Sequence, residues 1–326
     1  MHYDLIIIGA GPAGLACAIE AKRNSLNYLV IEKGVLVNSI FNFPSNMTFF
    51  STSKKLEVGD VPFISHTDKP TRREALEYYR RLAESHALNI QYANKVVGVE
   101  KSDIFKLKSG KGDYTADYVI AATGYFDNAR LLGVAGENLD KVRHYYDEAH
   151  RYIGQKLVVV GGANSACDVA LETLQKGAEV TMVIRSHQLY QKVKYWILPN
   201  IENRIKEGSI NAYFNSTLEE IKEKTVRINT PDGVIEIEND YVLAMTGYLP
   251  DYEFLENLGI QFSNTPEKIP VFNKETLESN VPNLYLAGVI NSGMQTSKLF
   301  IENTREDGKR ILKSITNNLD KELKSP

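Results

Sequence analysis

Cysteine is scarce in this sequence. Only Cys17 and Cys167 occur, which excludes a disulfide scaffold and a cysteine-rich zinc site and fits a reducing compartment. An excess of positive charge is missing too. Lys plus Arg number 38 against 41 Asp plus Glu, a formal net charge of -3, so there is no general basic footprint for nucleic acid or an anionic membrane. No apolar run approaches the roughly 18 residues that a membrane span needs. At the N-terminus Asp4 precedes the apolar stretch Leu5 to Ile8, where an export signal would carry basic residues. No HExxH, GxSxG or paired-carboxylate constellation stands out, and no metal is expected. These absences describe a cytoplasmic protein with neither a nucleic-acid nor a membrane partner.

The 326 residues are enough for about two domains. Hydrophobic content of 43% and charged content of 24% are ordinary for a globular chain. Tyr3 to Ile8 is a continuous apolar run, the signature of a buried parallel strand. GAGPAG follows at 9 to 14, then a helix from about Pro12 to Asn24, then a strand from Tyr28 to Ile31 closed by Glu32. The same order recurs later. Lys156 to Val160 is a strand, GGANSA stands at 161 to 166, a helix runs from about Ser165 to Lys176, and a strand from Glu179 to Ile184 ends at Arg185. Two further strands, Tyr114 to Ala122 and Asp240 to Met245, end in the related turns Ala122-Thr123-Gly124 and Met245-Thr246-Gly247. Strands alternating with helices specify an α/β class with parallel sheets. The polar tail from Ser314 to Pro326 reads as the fraying end of a helix.

Each glycine in the first motif has a task. Gly9 turns the strand tightly into the helix, Gly11 lets the backbone approach a pyrophosphate, and Gly14 lets helix and strand pack closely. The helix N-terminus faces the phosphates, and Glu32 stands where a carboxylate binds a ribose diol. In the second motif Ala163 replaces the middle glycine, and Asn164 and Ser165 offer donors. Arg185 replaces the acid. An acid would repel a 2′-phosphate, whereas Arg pairs with one, so NADPH is expected here rather than NADH. Lys192 and Lys194 lie nearby.

GAGPAG, the two Thr-Gly turns and GGANSA resemble the two-dinucleotide-binding flavoproteins of the thioredoxin-reductase type. Longer strings narrow the likeness: IEKGVLVNSIFNFPSNMTFFSTS at 31 to 53, KLEVGDVPF at 55 to 63, KPTRREALEYYRR at 69 to 81, KYWILPNIENRIKEGSI at 194 to 210, LYLAGVINSG at 284 to 293 and FIEN at 300 to 303. Together they are similar to the bacillithiol disulfide reductase family. The resemblance implies two Rossmann-like domains, one inserted in the other: an FAD-binding domain of residues 1–120 and 250–326, and an NADPH-binding domain of 121–249. It implies FAD held by Gly9, Gly11, Pro12, Ala13, Gly14, Glu32, Lys33, Thr123, Gly124, Gly288 and Val289. NADPH would be held by Gly162, Ala163, Asn164, Ser165, Arg185, Lys192 and Gly247. The implied reaction passes electrons from NADPH through FAD to a low-molecular-weight disulfide or an oxidised small redoxin, in a homo-oligomer.

Three departures bear on that reaction. The segment His144 to His150, HYYDEAH, lies where thioredoxin reductases carry Cys-x-x-Cys, and it has no cysteine. Many bacillithiol disulfide reductases have Cys before the third glycine of the first motif; here that residue is Ala13. Cys17 lies one helical turn further along the same face and is the remaining thiol candidate for catalysis, with a small core residue as the alternative. Gly288-Val289 replaces the Gly-Asp of the thioredoxin-reductase type, as in the bacillithiol branch. His144 and His150 are candidate acids for a leaving thiolate, and Tyr145 and Tyr146 are candidates to stack on a flavin or nicotinamide. Tyr195-Trp196 is a candidate cover for NADPH. Arg72, Arg73, Glu74, Glu77, Arg80 and Arg81 read as a solvated helix face. Two other functions stay open: an NADPH-dependent flavin reductase for ferredoxin or a quinone, and a low-turnover flavin redox sensor.

Overall fold

The computed structural model describes Met1–Lys324. The chain forms two compact units. Unit 1 comprises Met1–Asn128 and the chain from Leu249 onward, and unit 2 is Ala129–Tyr248.

Unit 1 is built on a seven-stranded sheet. Its strands are β1 (His2–Ile8), β2 (Tyr28–Ile31), β3 (Ile90–Gln91), β4 (Val96–Lys101), β5 (Phe105–Ser109) and β6 (Gly112–Ala121), with a closing strand Leu284–Leu286. The order is β3-β2-β1-β6-β5-β4. The closing strand pairs with the C-terminal end of β6 (Leu286 beside Ala121), and β5 takes its N-terminal end. Strands β3, β2, β1, β6 and the closing strand are mutually parallel, whereas β4 and β5 form an antiparallel arm. The arm follows from sequence: FKLKS alternates buried and exposed residues, as a strand with one wet face must. The central β1, with Leu5, Ile6 and Ile7 fully buried, is covered on both faces.

The helix α1 (Pro12–Arg23) joins β1 to β2, with Pro at its first position, where a missing N–H costs nothing. Against it packs the C-terminal helix Asp307–Lys324. The expected tail is thus helical from Ser314 to Lys324; Ser325 and Pro326 lie outside the described residues. Ile311, Leu312 and Ile315 are buried beside Cys17, Ala18 and Ala21 of α1, each worth about 1.5–3 kcal/mol of apolar burial. The contact is closest at Gly308, where a Cβ would lie 2.7 Å from the carbonyl atoms of Ala16.

Unit 2 holds a five-stranded, all-parallel sheet. Its strands are β7 (Val142–Arg143), β8 (Lys156–Val160), β9 (Glu179–Val183), β10 (Ile210–Tyr213) and, after a separate antiparallel sheet of β11 (Thr217–Ile221), β12 (Thr225–Thr230) and β13 (Gly233–Glu238), the strand β14 (Tyr241–Ala244). The order is β10-β9-β8-β14-β7. The helix Asn164–Gln175 joins β8 to β9. Lys141 is buried beside the small sheet, its Nζ donating to Asn239 Oδ1 (2.7 Å) and to the carbonyls of Glu223 and Asn239. Burial lowers the pKa of that ammonium.

Not all of the charged helix Arg72–Ser85 is solvated. Arg72 donates to the carbonyls of Ile40 and Phe41, and Glu74 completes a capping box with Thr71. Arg80 and Arg81 do stay outside, paired with Glu77.

Gly308→Ala tests the helix contact. Helix propensity alone favours Ala by about 1 kcal/mol, but overpacking against fixed backbone costs about 1–3 kcal/mol. Thermal unfolding should therefore show a less stable protein. A rise in Tm would mean that the two helices have room to spare.

Candidate functional site

In unit 1 four segments come together at the C-terminal ends of neighbouring parallel strands, where open α/β sheets place their ligands. After β1 comes the turn Gly9 to Gly14. Gly9 has a positive φ of 109°, and a Cβ there would lie 2.5 Å from the Ala122 carbonyl oxygen. Gly11 is the N-cap residue of α1, no side chain caps that helix end, and a Cβ on Gly11 would meet nothing within 4 Å. The N–H groups of the first turn are therefore open to a ligand. After β2 comes Glu32, 5% exposed. Its Oε2 accepts from Ala10 N (2.7 Å) and its Oε1 from Gly34 N (2.8 Å). Burial raises its pKa against those two bonds. Each oxygen keeps a second lone pair for a hydroxyl donor.

After β6 comes Ala122-Thr123-Gly124, with Thr123 Oγ1 buried and without a partner. After the closing strand comes Gly288, at φ 89°, leading into the 3-10 turn Val289–Ser292. There Asn291 Nδ2 donates to the Leu286 carbonyl (3.0 Å), which fixes the amide orientation and leaves Oδ1 buried and unpaired. An uncapped helix, a buried carboxylate and two orphaned oxygens fit a ligand with phosphates and many hydroxyls, as FAD is. Asn291 escaped the sequence reading, because an Asn in a turn carries no signal of burial. Lys33, next to Glu32, has its Nζ paired with Asp127 at 3.0 Å.

Unit 2 repeats the arrangement. Gly161 has a φ of 132°, and a Cβ there would lie 2.6 Å from the carbonyl oxygen of Met245, as Gly9 meets Ala122. The two Thr-Gly turns therefore do the same job: each offers a flat backbone against which the first glycine of its motif closes. Ala163 is the N-cap residue of Asn164–Gln175, which again no side chain caps, and Ser165 is exposed beside it. Asn164 is partly engaged, its Oδ1 accepting from Lys194 N (2.9 Å). The Gly162 carbonyl accepts from Tyr190 N, and Gly247 has a φ of 89°. Arg185 and Lys192 are exposed, with no carboxylate paired to either among the described residues. Lys194 is not a free cation, since its Nζ lies 2.7 Å from Asp168 Oδ2.

The remaining candidates take ordinary places within unit 2. Tyr145 stacks on Tyr248 (centroids 5.6 Å apart) and Tyr146 on Tyr152 (6.0 Å). Tyr195 meets Trp196 edge-on. His150 is exposed, and His144 Nε2 lies 3.4 Å from Glu137 Oε1.

Both cysteines are fully buried. Burial pushes the Cys17 thiol well up, and Asp307 and Glu20 add to the rise. Burial, then Asp168 and Glu202, pushes Cys167 to about 12. A thiol must ionise and reach its partner to exchange, and burial opposes both for each cysteine. Cys17, the thiol candidate for catalysis, sits under the C-terminal helix as core.

The sequence profile described as pyridine nucleotide-disulphide oxidoreductase matches residues 6–288. The chain belongs to the pyridine nucleotide-disulphide oxidoreductases. These flavoproteins use FAD and NADPH, and two dinucleotide cradles in one chain are what that chemistry needs. Within the family, the bacilliredoxin reductase Bdr of Bacillus subtilis (strain 168) is 43% identical over 313 residues, 95% of this chain and 96% of that protein. The solved structure of bacillithiol disulfide reductase Bdr from Staphylococcus aureus is 42% identical, with a TM-score of 0.95 over 98% of this chain and 99% of that one. Thioredoxin reductase from Lactococcus lactis, 23% identical with a TM-score of 0.76 over 97% and 98% of the two chains, shares the fold. Among the described residues no helix is long and apolar enough to cross a membrane.

A thiol-labelling experiment checks the burial. A maleimide should modify neither cysteine in the native protein and both after denaturation. Rapid native labelling of Cys17 would restore it as a candidate for exchange.

Proposed function

We propose that this chain transfers electrons from NADPH, through FAD, to a low-molecular-weight disulfide such as bacillithiol disulfide or to an oxidised bacilliredoxin, in the cytoplasm. The observation that carries the reading is the pair of uncapped helix N-termini, one followed by an acid and the other by Arg. When bound, FAD supplies a two-electron carrier and NADPH a hydride donor. Overall, NADPH, one proton and a disulfide give NADP+ and two thiols.

Unit 1 is then the FAD unit and unit 2 the NADPH unit. The open N–H groups of α1 bind the FAD pyrophosphate, and Glu32 accepts from the ribose hydroxyls. Thr123, Gly124, Gly288 and Val289 line the rest of that site. In unit 2 the first turn of Asn164–Gln175 takes the pyrophosphate, Gly162, Ala163 and Gly247 shape the backbone around it, and Arg185 and Lys192 read the 2′-phosphate. His144, with its Nε2 3.4 Å from Glu137 Oε1, is the candidate donor to a leaving thiolate. Neither cysteine takes part.

The burial of both thiols also favours a second reading, in which ferredoxin or a quinone takes the electrons. A steady-state panel of NADPH with bacillithiol disulfide, oxidised bacilliredoxin, thioredoxin and ferredoxin separates the two. Fast turnover with one of the first two acceptors is expected. Turnover with ferredoxin alone would overturn the disulfide reading, and no turnover with any acceptor would leave a sensor.

Arg185→Ala tests the cofactor choice. A charge-assisted contact is worth about 1.5–3 kcal/mol, so KM for NADPH should rise about 10- to 150-fold while KM for NADH barely changes. Equal effects on both would show that Arg185 does not read the phosphate.

A further inference from the structure

Asp307 stands in the sequence among Arg305, Glu306, Lys309 and Arg310, a charge run that reads as solvated. In the structure it is 4% exposed. Its Oδ2 accepts from Gly288 N at 2.9 Å, and its Oδ1 lies 3.8 Å from Arg310 Nη1, one helical turn on. The next residue, Gly308, is the point at which the C-terminal helix presses on the backbone of Ala16 and Cys17. Gly288 in turn has its Cα face against α1, where a Cβ would come 3.0 Å from the Ala13 Cβ. The start of one helix is thus fixed to α1 on one side and hydrogen-bonded to the closing turn on the other.

We infer that Asp307 is a positioning residue for the flavin site, holding the Gly288–Val289 turn in register with the first turn of α1. The inference rests on the assignment of FAD to unit 1. Gly288-Val289 has no acid of its own, and Asp307 brings a carboxylate to the back of this turn from a distant part of the chain. A buried carboxylate is costly to ionise, and here burial pushes its pKa up to about 6, against the pull of Gly288 N–H and Arg310. Such a group earns attention as functional when it sits at a site rather than in a surface ion network. Arg305, Glu306, Lys309 and Arg310 stand next to it in the chain, and Arg310 is the charge that acts on it. On α1, Cys17 has its thiol pushed up by Asp307 and Glu20, and on the closing strand Tyr285 is bonded to Ser314; both stay neutral at neutral pH.

The test measures FAD affinity on the full chain stripped of flavin, followed by quenching of flavin fluorescence, at about pH 8 and about pH 5. Asp307→Ala leaves Gly288 N–H without its acceptor and should weaken FAD binding by about tenfold or more at pH 8. Asp307→Asn keeps the shape and an acceptor but loses the charge. It should bind about fivefold more weakly than wild type at pH 8, since a bond to a charged acceptor exceeds a neutral one by about 1 kcal/mol. At pH 5 the wild-type carboxyl is largely protonated, so the two should converge. NADP+ affinity, a property of unit 2, should be the same in all three proteins. A merely structural role predicts a constant ratio of wild type to Asp307→Asn at both pH values, and that result would overturn the inference. So would Asp307→Ala binding FAD as tightly as wild type, or a matching loss of NADP+ affinity. A wild-type protein that takes up no FAD would instead bring down the cofactor assignment itself.

Discussion

Both parallel sheets deliver the chain into a helix whose N-terminus no side chain caps. Ser, Thr, Asp or Asn at such a position contributes about 0.5–2 kcal/mol, and the chain does without it twice, at Gly11 and at Ala163. The remaining features of each unit follow from keeping that helix end open and bare. The first glycine must take a positive φ to start the helix beside the sheet. The neighbouring strand must then turn away on a Thr-Gly step to leave its carbonyl flat against that glycine. An anion on the open N–H groups, with the helix dipole behind it, would replace the missing cap.

The two units differ at the residue that follows their second strand. Glu32 is buried and bonded to two backbone N–H groups. Arg185 is exposed at the same topological place. The thiols are withdrawn in both units. Cys17 lies in the core of unit 1 and Cys167 in that of unit 2, which is why the proposed electron path includes no mixed disulfide on this chain.

Much of this was legible in the sequence, and the reasons can be given residue by residue. The strand-turn-helix-strand units are local: GAGPAG and GGANSA each sit within a few residues of the apolar runs they connect, and the structure places those strands and helices within a residue or two of their expected ends. The antiparallel sheet of β11 to β13 is a weaker signal: TVRINT and GVIEIE alternate, but they lack the continuous apolar runs of the parallel strands. What could not be read are consequences of long-range packing. The ion partners of Lys33 and Lys194, Asp127 and Asp168, come from other parts of the chain. The burial of Asp307 depends on Gly308, which lets its helix close on α1. Arg72 looked like a surface charge, but it reaches two carbonyls of the short helix Asn38–Phe41, some thirty residues earlier.

In the proposed route electrons pass from NADPH to FAD and on to the acceptor with no thiol of this chain involved. The most direct measurement uses the FAD-loaded Cys17→Ala/Cys167→Ala protein, mixed anaerobically with NADPH and then with acceptor while the visible flavin band is followed. The band should bleach at the wild-type rate and return when the oxidised acceptor is added. Bleaching that is normal but never reversed by a disulfide that reoxidises the wild type, with fold and FAD content intact, would contradict the claim.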